Sequence, residues 1–157
     1  MALQFSGESE KRISELLQEY HDKQAALLPV LFVAQEEFGS LGEEATALVA
    51  SRLELELMHV KSVVSFYTMY KTQPVGKYHI QVCNTLSCAM AGSTTVIDHL
   101  KKRLEIEAGE ISGDGKFSIE QVECLALCGS APAMIINKTN YENLTIEKVD
   151  EILDSLE

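Results

Sequence analysis

The sequence is poor in positive charge. It has 13 Lys and Arg residues against 24 Asp and Glu residues in 157, which gives a formal net charge of −11. Nucleic acids and anionic membrane surfaces bind clustered basic side chains, so this composition argues against both as partners. The hydrophobic fraction of 46% is that of an ordinary globular protein, and the chain is long enough to bury a core.

Long apolar runs are also absent. The longest, AALLPVLFVA at 25–34, has ten residues and contains a proline, so we expect a buried helix and no direct insertion into a membrane. The N-terminal MALQFSGESEKR has no basic segment followed by an apolar one, so we expect no secretory signal and a cytoplasmic location. Thiols stay reduced in that compartment, which weakens a disulfide interpretation of the cysteines.

The common motifs of small-molecule catalysis are missing too. There is no G-x-G-x-x-G or P-loop phosphate cradle, no nucleophile–base pair, and no group of basic residues for a dinucleotide. The four histidines are scattered, and none forms the C-x-H pair of a Rieske site. We therefore predict no catalytic residue and no substrate site on this chain.

Helical periodicity runs through residues 9–70. Ser9 is a candidate N-cap for a first helix, in which Ile13, Leu16, Leu17 and Tyr20 fall at helical spacing. The pattern predicts further helices at 23–38, 42–55 and 57–70, and hence a small helical bundle. The aromatic and Met residues of SFYTMY (65–70) would suit a partner surface. The helical spacing of this segment favours the bundle core instead.

Two residues mark the course of the second predicted helix. Gly39 is a good helix terminator, so the helix should stop at residue 38. Pro29 lies inside the pattern and should either kink the helix or mark its true first turn.

The period changes after KTQPVGK (71–77), where Pro74 and Gly76 break the helical pattern. We predict domains at 1–71 and 77–157. The second should run β-α-β-β-β-α, with a parallel, right-handed first crossover and an antiparallel final pair. Its predicted strands are YHIQVC (78–83), KFSIEQVEC (116–124), AMIIN (133–137) and YENL (141–144), and a KTN turn precedes the last of them. Its predicted helices are TTVIDHLKKRLEI (94–106) and TIEKVDEILDSLE (145–157). We expect Thr145 to cap the second of these helices.

All four cysteines lie in two close pairs, Cys83/Cys88 and Cys124/Cys128. Each pair follows a predicted strand, and parallel strands would bring both pairs to the carboxyl edge of the sheet, where open α/β sheets build ligand sites. Inert core thiols would not usually be paired beside turns, so a four-cysteine metal site is the best interpretation. Spacing alone permits zinc, whereas the small and polar loops NTLS and LAL…GSA, with free N–H groups, favour iron–sulfur.

With these motifs the chain resembles the small [2Fe–2S] subunit (the E subunit) of NADH:quinone oxidoreductase, or respiratory complex I, a thioredoxin-like ferredoxin. The resemblance covers nearly the whole chain. It is carried by LLPVLFVAQEEFGSL, VVSFYTMY, KYHIQVCNTLSCAMAGS, DGKFSIEQVECLALCGSAPAMIIN and YENLTIEKVDEIL.

The resemblance implies that Cys83, Cys88, Cys124 and Cys128 ligate one [2Fe–2S] cluster. It also implies an electron-transfer subunit of an oxidoreductase, which exchanges single electrons with the FMN of an NADH-binding flavoprotein and is peripheral to the membrane through the complex. The equivalent subunits of NAD-dependent (bifurcating) hydrogenases and formate dehydrogenases share the architecture. A zinc-binding structural or adaptor module is the alternative from another class.

One departure from the family lies between the second pair of cysteines. The family usually has ECLGAC where this chain has ECLALC, so Ala126 stands in place of a glycine. We expect the loop to relax to negative φ, because the Leu127 side chain could hold an altered path. The alternative is that Ala126 keeps positive φ under strain.

Overall fold

The computed structural model describes residues 3–156 of the chain. Two compact units divide between Pro74 and Val75, and we call them the helical unit and the sheet unit. The helical unit contains α1 (Gly7–Glu19), α2 (Leu27–Phe38), α3 (Glu43–Leu53) and α4 (Leu57–Phe66). Within the described residues, no helix is both long and apolar enough to cross a membrane.

The helical unit has its own core. Apolar side chains from all four helices are fully buried in it, including Ile13, Val30, Leu31, Val49, Leu53 and Val60. These residues recur at helical spacing along each helix, so the faces that the periodicity marked as apolar are the faces that pack together.

The helix starts differ from the predicted ones. Ser6, not Ser9, is the N-cap of α1, and its hydroxyl oxygen accepts the Ser9 N–H at 3.3 Å. Ser6 has the extended backbone that an N-cap requires, so the helix starts before Ser9 and the Ser9 prediction was wrong. The second helix starts at Leu27 rather than residue 23, which places Pro29 in its first turn, where a missing N–H costs nothing.

The helix ends are partly as predicted. Gly39 terminates α2 in the left-handed conformation, with φ of 77°, as expected. The third helix is shorter than 42–55, because Glu54 turns left-handed directly after Leu53. The fourth stops at Phe66 rather than residue 70, because Tyr67 already has an extended backbone.

The early end of α4 divides the SFYTMY segment. Tyr70 is buried, and its hydroxyl donates to the Leu28 carbonyl at 2.9 Å. Phe66 and Met69 are 76% and 48% exposed. The core interpretation was therefore right for Tyr70 and wrong for the other two, because residues beyond Phe66 no longer follow the helical period.

The sheet unit is built on four strands in the order β2-β1-β3-β4. Strand β1 (Tyr78–Cys83) pairs in parallel with β2 (Phe117–Val122), and the pairs of β1 with β3 (Met134–Ile136) and of β3 with β4 (Thr139–Tyr141) are antiparallel. These pairings confirm the predicted parallel first crossover and antiparallel final pair. The hairpin turn is Asn137–Lys138, so β4 begins before the predicted YENL strand.

Within the described residues, the α-helices of the sheet unit are the short α5 (Leu86–Met90), α6 (Ser93–Leu104) and α7 (Ile146–Ser155). Ile80, Val82, Ile119 and Met134 of the sheet form one core with Ile97 and Leu100 of α6 and Val149 and Leu153 of α7. The Thr145 hydroxyl oxygen accepts the Lys148 N–H at 3.2 Å, which confirms the predicted cap of α7.

The opposite sheet face carries a polar network, because neighbouring residues of a strand point to opposite sides. His79 Nδ1 lies 2.8 Å from Ser118 Oγ, and His79 Nε2 lies 2.9 Å from a Glu120 carboxylate oxygen. The Gly76 N–H donates to Ser118 Oγ at 2.9 Å. Gly76 passes so close to β2 that a Cβ on it would lie 2.4 Å from the Phe117 carbonyl carbon.

Candidate metal centre

The parallel pairing of β1 and β2 brings the cysteine pairs to one edge of the sheet. Cys83 ends β1 opposite Val122, the last residue of β2, and Cys88 lies in α5. Cys124 lies two residues beyond the end of β2, so the prediction that it ends this strand was wrong. Cys128 is the first residue of the 3-10 turn Cys128–Ser130. We call residues 83–92 and 123–131 the cysteine edge. All four thiols are free.

The first pair is buried, and its two thiols interact directly. Cys83 Sγ lies 3.2 Å from Thr85 Oγ1, and its S–H donates to the Glu123 carbonyl at 3.1 Å. Burial alone would raise the pKa of the Cys83 thiol, but hydrogen bonds from Thr85, the Leu125 backbone and Cys88 lower it below the ordinary value. Burial and the neighbouring Cys83 raise the pKa of Cys88. The pair therefore favours a thiolate at Cys83, the form that binds metals.

The second pair is exposed and lies on a tight loop. Ala126 has φ of 59°, so the expected relaxation to negative φ was wrong and the loop keeps the left-handed turn. This turn directs the Ala126 N–H to Cys124 Sγ at 3.3 Å. Such N–H donors to ligand sulfurs are a feature of iron–sulfur sites, where they stabilise negative charge on the sulfur.

The donor set fits a thiolate-bound metal group. Cys88 is close enough to both Cys83 and Cys128 for each to act on its pKa. Among residues 3–156, no three His, Cys, Asp or Glu side chains already surround a single point as ion ligands would. The fit therefore rests on four free thiols at one edge and on the N–H donor at Ala126, both of which suit a sulfur-ligated group.

Several features of this edge were not found from the sequence. The helix α5 is too short to show a period, and Thr85 precedes it like an N-cap although its hydroxyl contacts Cys83 instead of capping. The signal for α5 that the sequence does contain is Thr85, because Thr is a common residue directly before the first turn of a helix. The Ala126 N–H could have been suggested only by the glycine that the family carries there.

Two of the histidines, His79 and His99, lie in structural contacts. His79 belongs to the polar network with Ser118 and Glu120, and His99 Nε2 lies 2.7 Å from an Asp150 oxygen. The Ser–His–Glu chain has the residue types of a hydrolytic triad, and sequence analysis did not find this pairing. Ser118 is only 4% exposed and already accepts the Gly76 N–H, so it is placed to hold Gly76 against β2 rather than to attack a substrate.

Charge is depleted around the cysteines. Neither residues 84–97 nor residues 124–137 include a charged side chain. The α5 helix turns Cys88 inward and leaves Leu86 and Met90 75% and 82% exposed. An uncharged surface with exposed Leu and Met is typical of the centre of a protein–protein interface.

Comparison with known proteins decides the family. The family model of the thioredoxin-like [2Fe-2S] ferredoxins matches residues 13–157. This chain belongs to that family. The match begins inside α1 and covers the rest of the helical unit as well as the sheet unit.

Relatives of this ferredoxin include two named subunits of one type of enzyme complex. It is 43% identical to the NADH-quinone oxidoreductase E subunit of Rickettsia bellii over 85% of the chain and 81% of the relative. It is 37% identical to an NADH-quinone oxidoreductase E subunit of Rhizobium meliloti, the one numbered 2, over 87% of the chain and 81% of the relative. These relatives are oxidoreductase subunits.

Solved structures support the fold. A crystal structure of NAD+-reducing [NiFe]-hydrogenase in the H2-reduced state aligns with a TM-score of 0.68 at 21% identity. The alignment covers 80% of this chain and only 22% of the hydrogenase chain. The alignment shows that the two proteins share a fold over this part of their chains.

Proposed function

We propose that this ferredoxin is the E subunit of an NADH-quinone oxidoreductase and carries electrons one at a time. In this proposal Cys83, Cys88, Cys124 and Cys128 bind one [2Fe–2S] cluster. The observation that supports this proposal most directly is the position of the four free thiols of this family member at one sheet edge. A backbone N–H is directed at one of the four sulfurs. When bound, the cluster takes up and releases single electrons.

The protein's part is to hold the thiolates and set their surroundings. Cys83 and Cys88 are buried, which keeps water from half of the site. Hydrogen bonds from Thr85 and the Leu125 backbone stabilise the Cys83 thiolate. The Ala126 N–H does the same for Cys124. Each donor lowers the cost of negative charge on the ligands and so favours the reduced state.

The proposed partner is a flavoprotein that binds NADH and FMN. Hydride transfer moves two electrons, so a flavin that accepts them needs a one-electron carrier beside it, and this subunit would be one such carrier. The exposed Leu86 and Met90, together with the two uncharged segments 84–97 and 124–137, support close docking there, because no charged side chain of these segments has to lose its water. The cytoplasmic location, with membrane attachment only through the complex, is part of the same proposal.

Other assemblies with this subunit type are the alternatives. A NAD-reducing hydrogenase shares the fold at 21% identity, whereas relatives at 37% and 43% identity are named for NADH-quinone oxidoreductase. The higher identities favour NADH-quinone oxidoreductase as the complex to which this chain belongs. A formate dehydrogenase with the same type of subunit is an alternative of the same kind as the hydrogenase. Identification of the proteins that co-purify with this chain separates these assemblies.

Rapid mixing tests the function. NADH alone should leave the visible absorbance of the anaerobic chain unchanged, and NADH with a catalytic amount of the flavoprotein should bleach it. Single changes of each of the four cysteines to Ala should remove or badly destabilise the chromophore, with Ser87→Ala as the exposed control in α5. A chromophore that forms but is never reduced through the flavoprotein would contradict the proposed electron exchange.

A further inference from the structure

The outer face of α4 carries no charge. Its exposed residues are Leu57, Met58, Ser62, Ser65 and Phe66. Met58 is 68% and Phe66 is 76% exposed in the full chain. Residues four apart lie on the same side of a helix, so Met58, Ser62 and Phe66 form one continuous strip. We call this strip, with Ser65 and the nearby Met69, the α4 surface.

The other helices of the same unit differ from α4. Exposed charged residues are found on each of them, for example Glu15 on α1, Glu36 on α2 and Glu44 on α3. The single charged side chain of α4, Lys61, is turned to α3 and pairs with Glu43 at 3.1 Å. Since a helix face that stays in water normally carries charge, the α4 surface is built to be covered.

Charge along the whole chain points the same way. All 24 acidic residues lie outside residues 57–97, a stretch that also holds Lys61, Lys71 and Lys77. Within the described part of the chain, six of the nine exposed large hydrophobic residues lie inside this stretch: Leu57, Met58, Phe66, Met69, Leu86 and Met90. The α4 surface and the first loop of the cysteine edge therefore share one composition, apolar and free of acids, in an otherwise acidic protein.

The occupant follows from this charge pattern. A second copy of the chain would bring together two proteins of net charge −11, and such pairs repel. A different protein of smaller net negative charge meets weaker repulsion, and the acid-free stretch offers it an apolar surface. Exposed Phe and Met beside small hydroxyl residues suit a protein surface, because aromatic and Met side chains are enriched at interface centres.

We propose that the α4 surface is a docking site for the same NADH-binding flavoprotein that the cysteine edge serves. The inference rests on the proposed function for the identity of the partner. The α4 surface contains none of the four cysteines, so it contributes affinity and not the path of the electron.

The test uses the full chain and the separately produced flavoprotein. Ser62→Glu places a charge between Met58 and Phe66 at an exposed position where Glu is a good helix former. Phe66→Ser removes the largest exposed side chain of the surface. Ala47→Glu puts the same charge on the exposed face of α3 and is the matched control. Circular dichroism and the visible spectrum check the fold and the cluster of each variant.

Ser62→Glu and Phe66→Ser should each weaken the flavoprotein affinity by about tenfold or more, as at interface hot spots, and Ala47→Glu should not. At saturating flavoprotein, the rate of electron exchange should remain that of the wild type. Unchanged affinity of both variants would overturn the proposal and leave the proposed function standing. A wild-type dimer that Ser62→Glu dissociates, with flavoprotein binding intact, would make a second copy the occupant. Wild-type protein that does not bind the flavoprotein would overturn both proposals.

Discussion

Replacement of Ala126 by glycine should stabilise the protein. Ala126 holds φ of 59°, a conformation that costs an L residue roughly 1–2 kcal/mol and glycine nothing. Glycine also gains freedom in the unfolded chain, which offsets about 0.4–1 kcal/mol of that gain. Ala126 is exposed, so little packing is lost. The net expectation is about 0.5–1 kcal/mol, or a rise in Tm of roughly 1–4 °C for a chain of this size.

Anaerobic thermal unfolding of the holo-protein measures this shift. Ala91→Gly is the matched control, since Ala91 is exposed at the end of α5 with φ of −84°, where glycine brings only its entropy cost. The control should therefore have a lower Tm. The Ala126 N–H keeps its place next to Cys124 Sγ in the glycine variant, so the reduction potential should not change. An Ala126→Gly protein as unstable as the control would mean that the loop carries no strain, and the argument from φ would fail.

Three further changes test other parts of the structure. Gly76→Ala should destabilise the sheet unit by roughly 1–3 kcal/mol in chemical denaturation, because the added Cβ would lie 2.4 Å from the Phe117 backbone. Gly113 has open space around it, so Gly113→Ala is the control and should lower the free energy of unfolding far less. Burial, and to a smaller extent the neighbouring Tyr67, raises the pKa of the Tyr70 hydroxyl to about 12. In the unfolded chain the pKa of this group is about 10. Stability from Tyr70 is thus present below pH 10 and lost as pH rises through 12, and Tyr70→Phe should flatten this loss in unfolding followed across that range. A chain that starts at Lys71 should assemble its cluster but bind the flavoprotein poorly in pull-down assays; full affinity would show that the helices are dispensable for docking.

Periodic segments could be predicted from the sequence, and segments without a period could not. YHIQVC alternates apolar and polar residues because one face of β1 packs on helices, so its bounds were predicted correctly. The five residues of α5 are too few to show a helical period. The end of α4 was missed because Tyr67, Met69 and Tyr70 continue an apolar pattern after the backbone has left the helix.

The candidate site divides in the same way. Pairing of the cysteines beside strand ends was sufficient to predict that they meet at one edge, because parallel strands end on the same side. The conformation of Ala126 was not predictable, because a Leu neighbour is compatible with either sign of φ. In the structure the turn is left-handed at Ala126 and directs its N–H to Cys124 Sγ.

Metal analysis of anaerobically purified wild-type protein tests the central claim most directly. Four thiolates around one cluster predict about two irons and about two acid-labile sulfides per chain, with the red-brown absorption of an iron–sulfur protein. The measurement should be made on protein produced with sufficient iron. Colourless protein with one equivalent of zinc, held by the same four cysteines, would contradict the account and make this chain a structural metal module.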